Sequence, residues 1–202
     1  MTEDEARTWM RDRYGVSRET RLAAFVSLLG EEAARQNLIA SSTLEQIWAR
    51  HIVDSAQLLG AAPDEGLWLD IGSGAGLPGM VIALLREEPV ELVEPRKLRT
   101  DFLARVTAEL ELPNVSIHTA KIERTAGPAA VISARAVASL DALFRVAAHR
   151  STSSTVWVLP KGRNAQSEVE EARRKWHGSF HVEPSITAPD SLIVVAREVR
   201  PR

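Results

Sequence analysis

The stretch Leu67-Trp68-Leu69-Asp70-Ile71-Gly72-Ser73-Gly74-Ala75-Gly76-Leu77-Pro78-Gly79 constrains the fold of this chain more than any other. An apolar run rich in strand formers ends in a cluster of four glycines, and Pro78 follows where the first turn of a helix over 79–86 begins. These residues predict a strand, a tight turn and a helix. Glycine accepts positive φ and lets a ligand approach the main chain without a Cβ in the way, while a helix N-terminus offers unpaired N–H groups. A nucleotide-like cofactor fits such a loop.

Two ligand classes compete for it. Gly74-Ala75-Gly76-Leu77-Pro78-Gly79 spells G-x-G-x-x-G, and Glu94 stands about 20 residues farther on, at the end of a second strand-like run, as a dinucleotide fingerprint requires. The register differs, because a dinucleotide strand runs straight into its first glycine and here Asp70-Ile71-Gly72-Ser73 intervenes. An acid at the strand end followed by G-x-G-x-G resembles the first motif of S-adenosylmethionine-dependent methyltransferases.

With 202 residues, 45% of them hydrophobic and 26% charged, the chain suffices for one well-buried domain with an appendage. No run approaches the ~18 to 20 apolar residues that span a bilayer, and the start is acidic where a signal peptide is basic, so a cytoplasmic location with no membrane contact is expected. The absence of cysteine excludes disulfides, a cysteine nucleophile and Cys-ligated metal, and no metal site is expected. A net charge of −2 argues against a protein that grips nucleic acid over its whole surface. Basic clusters at Arg11, Arg13, Arg18 and Arg21, at Arg96, Lys97 and Arg99, and at Arg173, Arg174 and Lys175 read either as local binding patches or as solvated helix faces.

Residues 1–62 read as a helical segment packed on the core. Leu22, Phe25, Val26 and Leu29 recur at helical spacing, Gly30 punctuates, and a further helix runs from about Thr43 to Gly60 with Thr43 and Gln46 at capping-box spacing. On it, Arg50-His51-Ile52-Val53-Asp54-Ser55 places His51 within reach of Asp54 and Ser55, as a packed histidine or as part of a site. From 63 to 202 strands and helices alternate: strands near 67–71, 90–94, 115–119, 130–134 and 155–159, helices near 79–86, 96–110, 139–150 and 165–176, then strands near 180–187 and 191–199. The fold class expected is α/β, Rossmann-like, with a mostly parallel sheet and a C-terminal antiparallel hairpin.

Ligands of open parallel sheets bind at the carboxyl ends of strands. Glu94 ends the second strand and is placed to accept ribose hydroxyls, or else to pair with Arg96 or Lys97. Ile122 and Glu123 follow the third strand, where they would flank an adenine. Ser133-Ala134-Arg135-Ala136 follows the fourth strand and Pro160-Lys161-Gly162 the fifth, so Arg135 and Lys161 read either as the seat of an anionic partner or as solvated charges.

Together these residues resemble the RsmG (GidB) family, the 16S ribosomal RNA guanine-N7 methyltransferases. The resemblance runs from Gln36-Asn37-Leu38 through the Arg-His-x-x-Asp-Ser helix, the glycine loop, Ile132 to Ala136 and Pro160-Lys161-Gly162. It implies a class I methyltransferase fold, S-adenosylmethionine held by Asp70, Gly72, Gly74, Gly76, Leu77, Glu94, Ile122, Glu123 and Arg135, and Arg135 and Lys161 positioning the reactants. It also implies RNA contacts at Arg50, His51, Arg135 and Lys161, with the methyl group going to guanine 527 in the 530 loop of the small ribosomal subunit. A monomer is expected. The chain departs from the family's usual pattern at Ala129-Ala130, where an aspartate is common, at the extra Ala134, and at Glu94-Pro95, where an aspartate and a non-proline are usual.

Guanine N7 carries a free lone pair, so its methylation requires no general base, and proximity and orientation supply most of the acceleration. The missing cysteine agrees, since a pyrimidine-C5 enzyme uses one as nucleophile, as does the missing Asn/Asp-Pro-Pro-aromatic motif of exocyclic amine methylases. A small nicotinamide dehydrogenase and a non-enzymatic ribosome-binding module are the readings from other classes. The first lacks a Tyr-x-x-x-Lys pair, Tyr14 being the only tyrosine.

Overall fold

The computed structural model describes residues 1–202, the side chains of Ser41 and Ser42 apart. Seven strands, β1 (Trp68–Ile71), β2 (Val90–Val93), β3 (Val115–His118), β4 (Val131–Ala134), β5 (Val156–Lys161), β6 (Trp176–Pro184) and β7 (Leu192–Pro201), form one sheet in the order β3-β2-β1-β4-β5-β7-β6. Strands β1 to β5 are parallel, and β7 runs antiparallel to both β5 and β6. The expected parallel sheet with a terminal hairpin is present.

The faces of the sheet are divided by the two-residue period of a strand. Trp68, Val90, Leu92, Val131, Val156 and Val158 pack on one side with helices α1 (Glu3–Ala33), α3 (Gly79–Leu85) and α4 (Lys97–Glu109). Leu69, Ile71, Val93, Ile132 and Trp157 pack on the other with α5 (Leu140–Ala147) and α6 (Ala165–Lys175). Helices on both faces are why β1 and β4 are buried at every residue. The strand order reverses at β1, which lies between β2 and β4, and a crevice opens beyond their carboxyl ends. Among the described residues no helix is long and apolar enough to cross a membrane.

The N-terminal segment differs from its expected form. Helix α1 passes through Gly30, and its break lies at Gly15, whose φ of 84° and ψ of 164° are non-helical. The capping box belongs to Thr2 and Glu5, not to Thr43 and Gln46. No single α-helix spans 43–60. A 3-10 stretch (Ser41–Gln46), a π-helical turn (Trp48–Val53), the short α2 (Asp54–Ala56) and a second 3-10 stretch (Gln57–Ala61) follow one another. The physical cause lies in α1: the Glu3 carboxylate accepts the N–H groups of Trp48 (3.0 Å) and Ala49 (2.9 Å), which an α-helix begun at Thr43 would spend on its own carbonyls. At the other end β6 starts at Trp176, earlier than expected, because Trp176 is buried against Phe144 (ring centroids 5.6 Å apart) while its backbone pairs with Pro201.

Candidate functional site

The turn after β1 is built from below by Asp70. Its fully buried carboxylate accepts the Gly79 N–H (3.2 Å) and the Ser133 hydroxyl (2.7 Å), and that hydroxyl accepts the indole N–H of Trp68 (2.8 Å). Asp70 thus fixes the start of α3 and ties β1 to β4 beneath the loop; it does not line the cavity above. Burial pushes its carboxyl up to about 6, against the hydrogen bonds that hold it down. Gly72, Gly74 and Gly76 take φ of 69°, 52° and 85°, a region that favours glycine.

Glu94, at the end of β2, points into this loop. One oxygen accepts the Gly74 N–H (3.0 Å) and the other the Arg96 N–H (2.9 Å), with the Arg99 guanidinium 3.6 Å away. Neither the Arg96 nor the Lys97 side chain pairs with it, and Lys97 engages Asp101. Glu94, Gly72, Gly74, Leu77, Arg99, His51, Arg135 and Val137 line a cavity of about 590 Å³. Carboxylate and glycine loop together fit a ribose-bearing cofactor, so Glu94→Ala is expected to weaken S-adenosylmethionine binding by ~1.5 to 3 kcal/mol, the range for hydrogen bonds to charged groups. Calorimetry beside a melting curve checks this; unchanged affinity would leave Glu94 only a clasp on the loop.

His51 and Arg135 meet in the lining of the cavity. Arg135 Nη1 donates to His51 Nδ1 at 2.9 Å, so Nδ1 is the unprotonated nitrogen, and Nε2–H faces the Thr43 hydroxyl (2.9 Å), whose own proton goes to the Ala40 carbonyl. The expected bonds from the His51 ring to Asp54 and Ser55 are absent: Ser55 Oγ donates to the His51 carbonyl, and Asp54 lies 3.9 Å from Arg135. Burial, then the charges of Arg135 and Arg50, hold the imidazole down at about 4, a neutral ring.

Asp70 and His51 therefore titrate in opposite senses. The folded protein keeps a proton on Asp70 between about pH 4 and 6 that the unfolded chain releases, so this contribution to stability falls as pH rises. The unfolded chain protonates its histidine below 6.5 whereas the folded one waits until about 4, so the His51 contribution rises with pH across nearly the same window. Each contribution is on the order of 3 kcal/mol across its window. Denaturant midpoints from pH 4 to 6.5 should be nearly level for the wild type, climb with pH in Asp70→Asn and fall in His51→Gln; parallel profiles in all three would refute the opposition.

The remaining residues expected at a site fall into different places. Lys161 ends β5, but its ammonium is spent on the Ala138 carbonyl (2.6 Å) and Glu168 (3.0 Å), fastening the 135–139 loop to α6. Arg50 is exposed, donates to Gln46, and lines neither cavity at the site. Ile122 is buried in the α5–α6 core, Glu123 is exposed, and neither lines the cofactor cavity. Most of the basic clusters serve the fold: Arg11 pairs with Glu19, Arg18 and Arg21 bind the Leu84 and Leu110 carbonyls, and Arg173 binds that of Phe180. Arg99 and Val137 line the cavity without having been singled out for it. The signal for Arg99 was its place in the first turn of the helix that follows Glu94.

A family model described as "rRNA small subunit methyltransferase G", GidB, matches residues 18–190. A protein named ribosomal RNA small subunit methyltransferase G from Sphingopyxis alaskensis is 51% identical over 96% of this chain and 85% of its own length; one of the same name from Zymomonas mobilis is 45% identical over 100% and 96%. The fold is shared with a ribosomal protein L11 methylase from Lactobacillus delbrueckii (TM-score 0.58, 12% identity, 73% of this chain and 77% of that one). It is shared also with M. jannaschii TYW2, solved in complex with AdoMet (TM-score 0.57, 14% identity, 75% and 76%). With a family match across most of its length and relatives this similar from end to end, the chain belongs to the GidB family of small-subunit rRNA methyltransferases.

Proposed function

We propose that this protein transfers a methyl group from S-adenosylmethionine to N7 of a guanine in 16S ribosomal RNA, acting in the cytoplasm as a monomer on the small subunit or an assembly intermediate. The observation that carries the reading is the clasp of Glu94 on the Gly74 N–H, which sets a carboxylate beside a positive-φ glycine loop in a cavity that Arg135 also lines. When bound there, the cofactor supplies an electrophilic methyl group on a sulfonium.

The chain's own residues hold and orient. Gly72 and Gly74 keep side chains out of the cradle and Glu94 receives hydroxyl donors, while Gly76, expected at the cofactor, does not line the cavity and instead leaves room for Met80, Leu103 and Phe25 in the core. Arg135, its charge partly met by Asp54, borders both this cavity and a second one beyond the β4 and β5 ends. A base entering between them needs its N7 lone pair aligned with the methyl group, and no proton has to leave before attack. The neutral His51 agrees with that, since it adds no positive charge to a pocket already holding a guanidinium and a sulfonium. Arg96 and Arg99 at the mouth supply a local rim for phosphates in a protein of net negative charge.

The test is methyl incorporation into small subunits, and into bare 16S RNA, prepared without the modification, followed by mapping of the modified base. N7-methylguanine at one position is expected. Another product, or calorimetric affinity for NAD with none for S-adenosylmethionine, would overturn the reading.

A further inference from the structure

The second cavity, about 700 Å³, shares the wall Arg135–Val137 with the cofactor cavity and extends to Pro160–Asn164 and Ser191–Ile193. Three of its charged side chains are already engaged. Lys161 and Glu168 pair with each other, Glu168 also accepts the Leu140 N–H, and Arg163 pairs with Asp190. Asp54 differs. Its Oδ1 is saturated by Gln57 Nε2 (3.0 Å), Ser185 Oγ (3.2 Å) and Thr187 Oγ1 (3.0 Å), whereas Oδ2 accepts no hydrogen bond among the described residues and has only Arg135 Nη1 at 3.9 Å. Three donors thus fix the carboxylate and leave one oxygen, with two lone-pair sites, to the cavity.

We propose that Asp54 selects the base: its Oδ2 accepts N1–H and the exocyclic N2–H of the target guanine. The proposal rests on the guanine-N7 reading above. N7 and the Watson–Crick edge lie on opposite sides of the purine, so a base whose N7 meets the cofactor cavity at the shared wall turns its N1/N2 edge into the second cavity. Guanine alone offers two adjacent donors on that edge. Adenine and cytosine place an acceptor there, which a carboxylate repels, and uracil has a single donor. Unstacked bases of single-stranded loops are read in this way, by hydrogen bonds along the Watson–Crick edge.

The test uses small subunits reconstituted from 16S transcripts carrying guanine or adenine at the position mapped for the wild type. In Asp54→Asn, Oδ1 still receives Gln57, Ser185 and Thr187, while an amide donor replaces Oδ2. The kcat/KM for guanine should fall 10- to 100-fold, and the guanine-over-adenine ratio should collapse by a similar factor, with cofactor affinity and Tm close to wild type. A wild-type rate and preference in Asp54→Asn would overturn the proposal, as would an equal loss on both bases, which marks a structural role. Inosine at the target, which keeps N1–H and lacks the amine, needs no protein variant: slower methylation by the wild type is expected, and a rate equal to that on guanine would overturn the paired contact. Wild-type product that is not N7-methylguanine would instead bring down the function proposed above.

Discussion

Gly74→Val is expected to lose S-adenosylmethionine binding by more than about 100-fold while the protein stays folded. The φ of 52° at this position is one a β-branched residue adopts only at a cost of roughly 1–3 kcal/mol. The protein itself has room for a Cβ, since the nearest atoms, Arg99 Nη1, the Gly72 carbonyl and Glu94 Oε2, are 3.5, 3.6 and 4.0 Å from where it would sit. The valine methyls therefore occupy the space beside Glu94 that the cofactor needs. Gly79 is the informative contrast, because a Cβ there would come within 2.3 Å of Leu92 Cδ2 and 2.8 Å of the Asp70 side chain. Gly79→Val should fail in the melting curve, and Gly74→Val in the calorimeter. Retained affinity in the latter would place the ligand elsewhere.

Arg135→Met should reduce kcat/KM for methyl transfer by on the order of 100-fold, the scale set by misplacing reactants by about an ångström. Arg135 holds the His51 ring and faces Asp54, so its removal frees one wall of each cavity at once. A spectroscopic consequence separates this from simple loss of fold. Arg135 is one of the charges keeping the imidazole down at about 4, and without it the His51 titration moves upward in a proton NMR experiment. An unmoved titration would mean that the contact between the two side chains does not persist in solution.

What was legible in the sequence was local. The strand, glycine turn and helix from Trp68 to Leu85 lie within a short window, and so does Glu94 at the next strand end, 20 positions from the N–H it accepts. The chemistry of the second cavity was not legible, because its partners are far apart in sequence. Helical spacing puts His51 within reach of Asp54 and Ser55, yet its ring is taken by Thr43 and by Arg135, 84 positions away, in a turn wound as a π-helix because Glu3 captures two N–H groups. Lys161 offered a free cation in the sequence, and a backbone carbonyl 23 positions earlier, with Glu168, removes it. A charge count shows how many cations a chain has, and only the packing shows which remain uncommitted.

The hydrogen bonds that build the second cavity have a consequence for when the protein acquires its activity. Glu3 holds the π-turn across 45 and 46 positions, and Ser185 and Thr187 hold Asp54 across 131 and 133. Contacts of such span form only after long loops close, whereas the clasp between Gly74 and Glu94 needs only two adjacent strands. During synthesis at about 5–20 residues per second, the cofactor cradle has its parts several seconds before Ser185 leaves the ribosome. A nascent chain thus passes through a stage at which the parts of the cradle are present and the Asp54 carboxylate has only Gln57 of its three donors. If Asp54 selects the base as proposed above, base selection is completed only with the final hairpin, whose Ser185 and Thr187 lie far from the glycine loop in sequence.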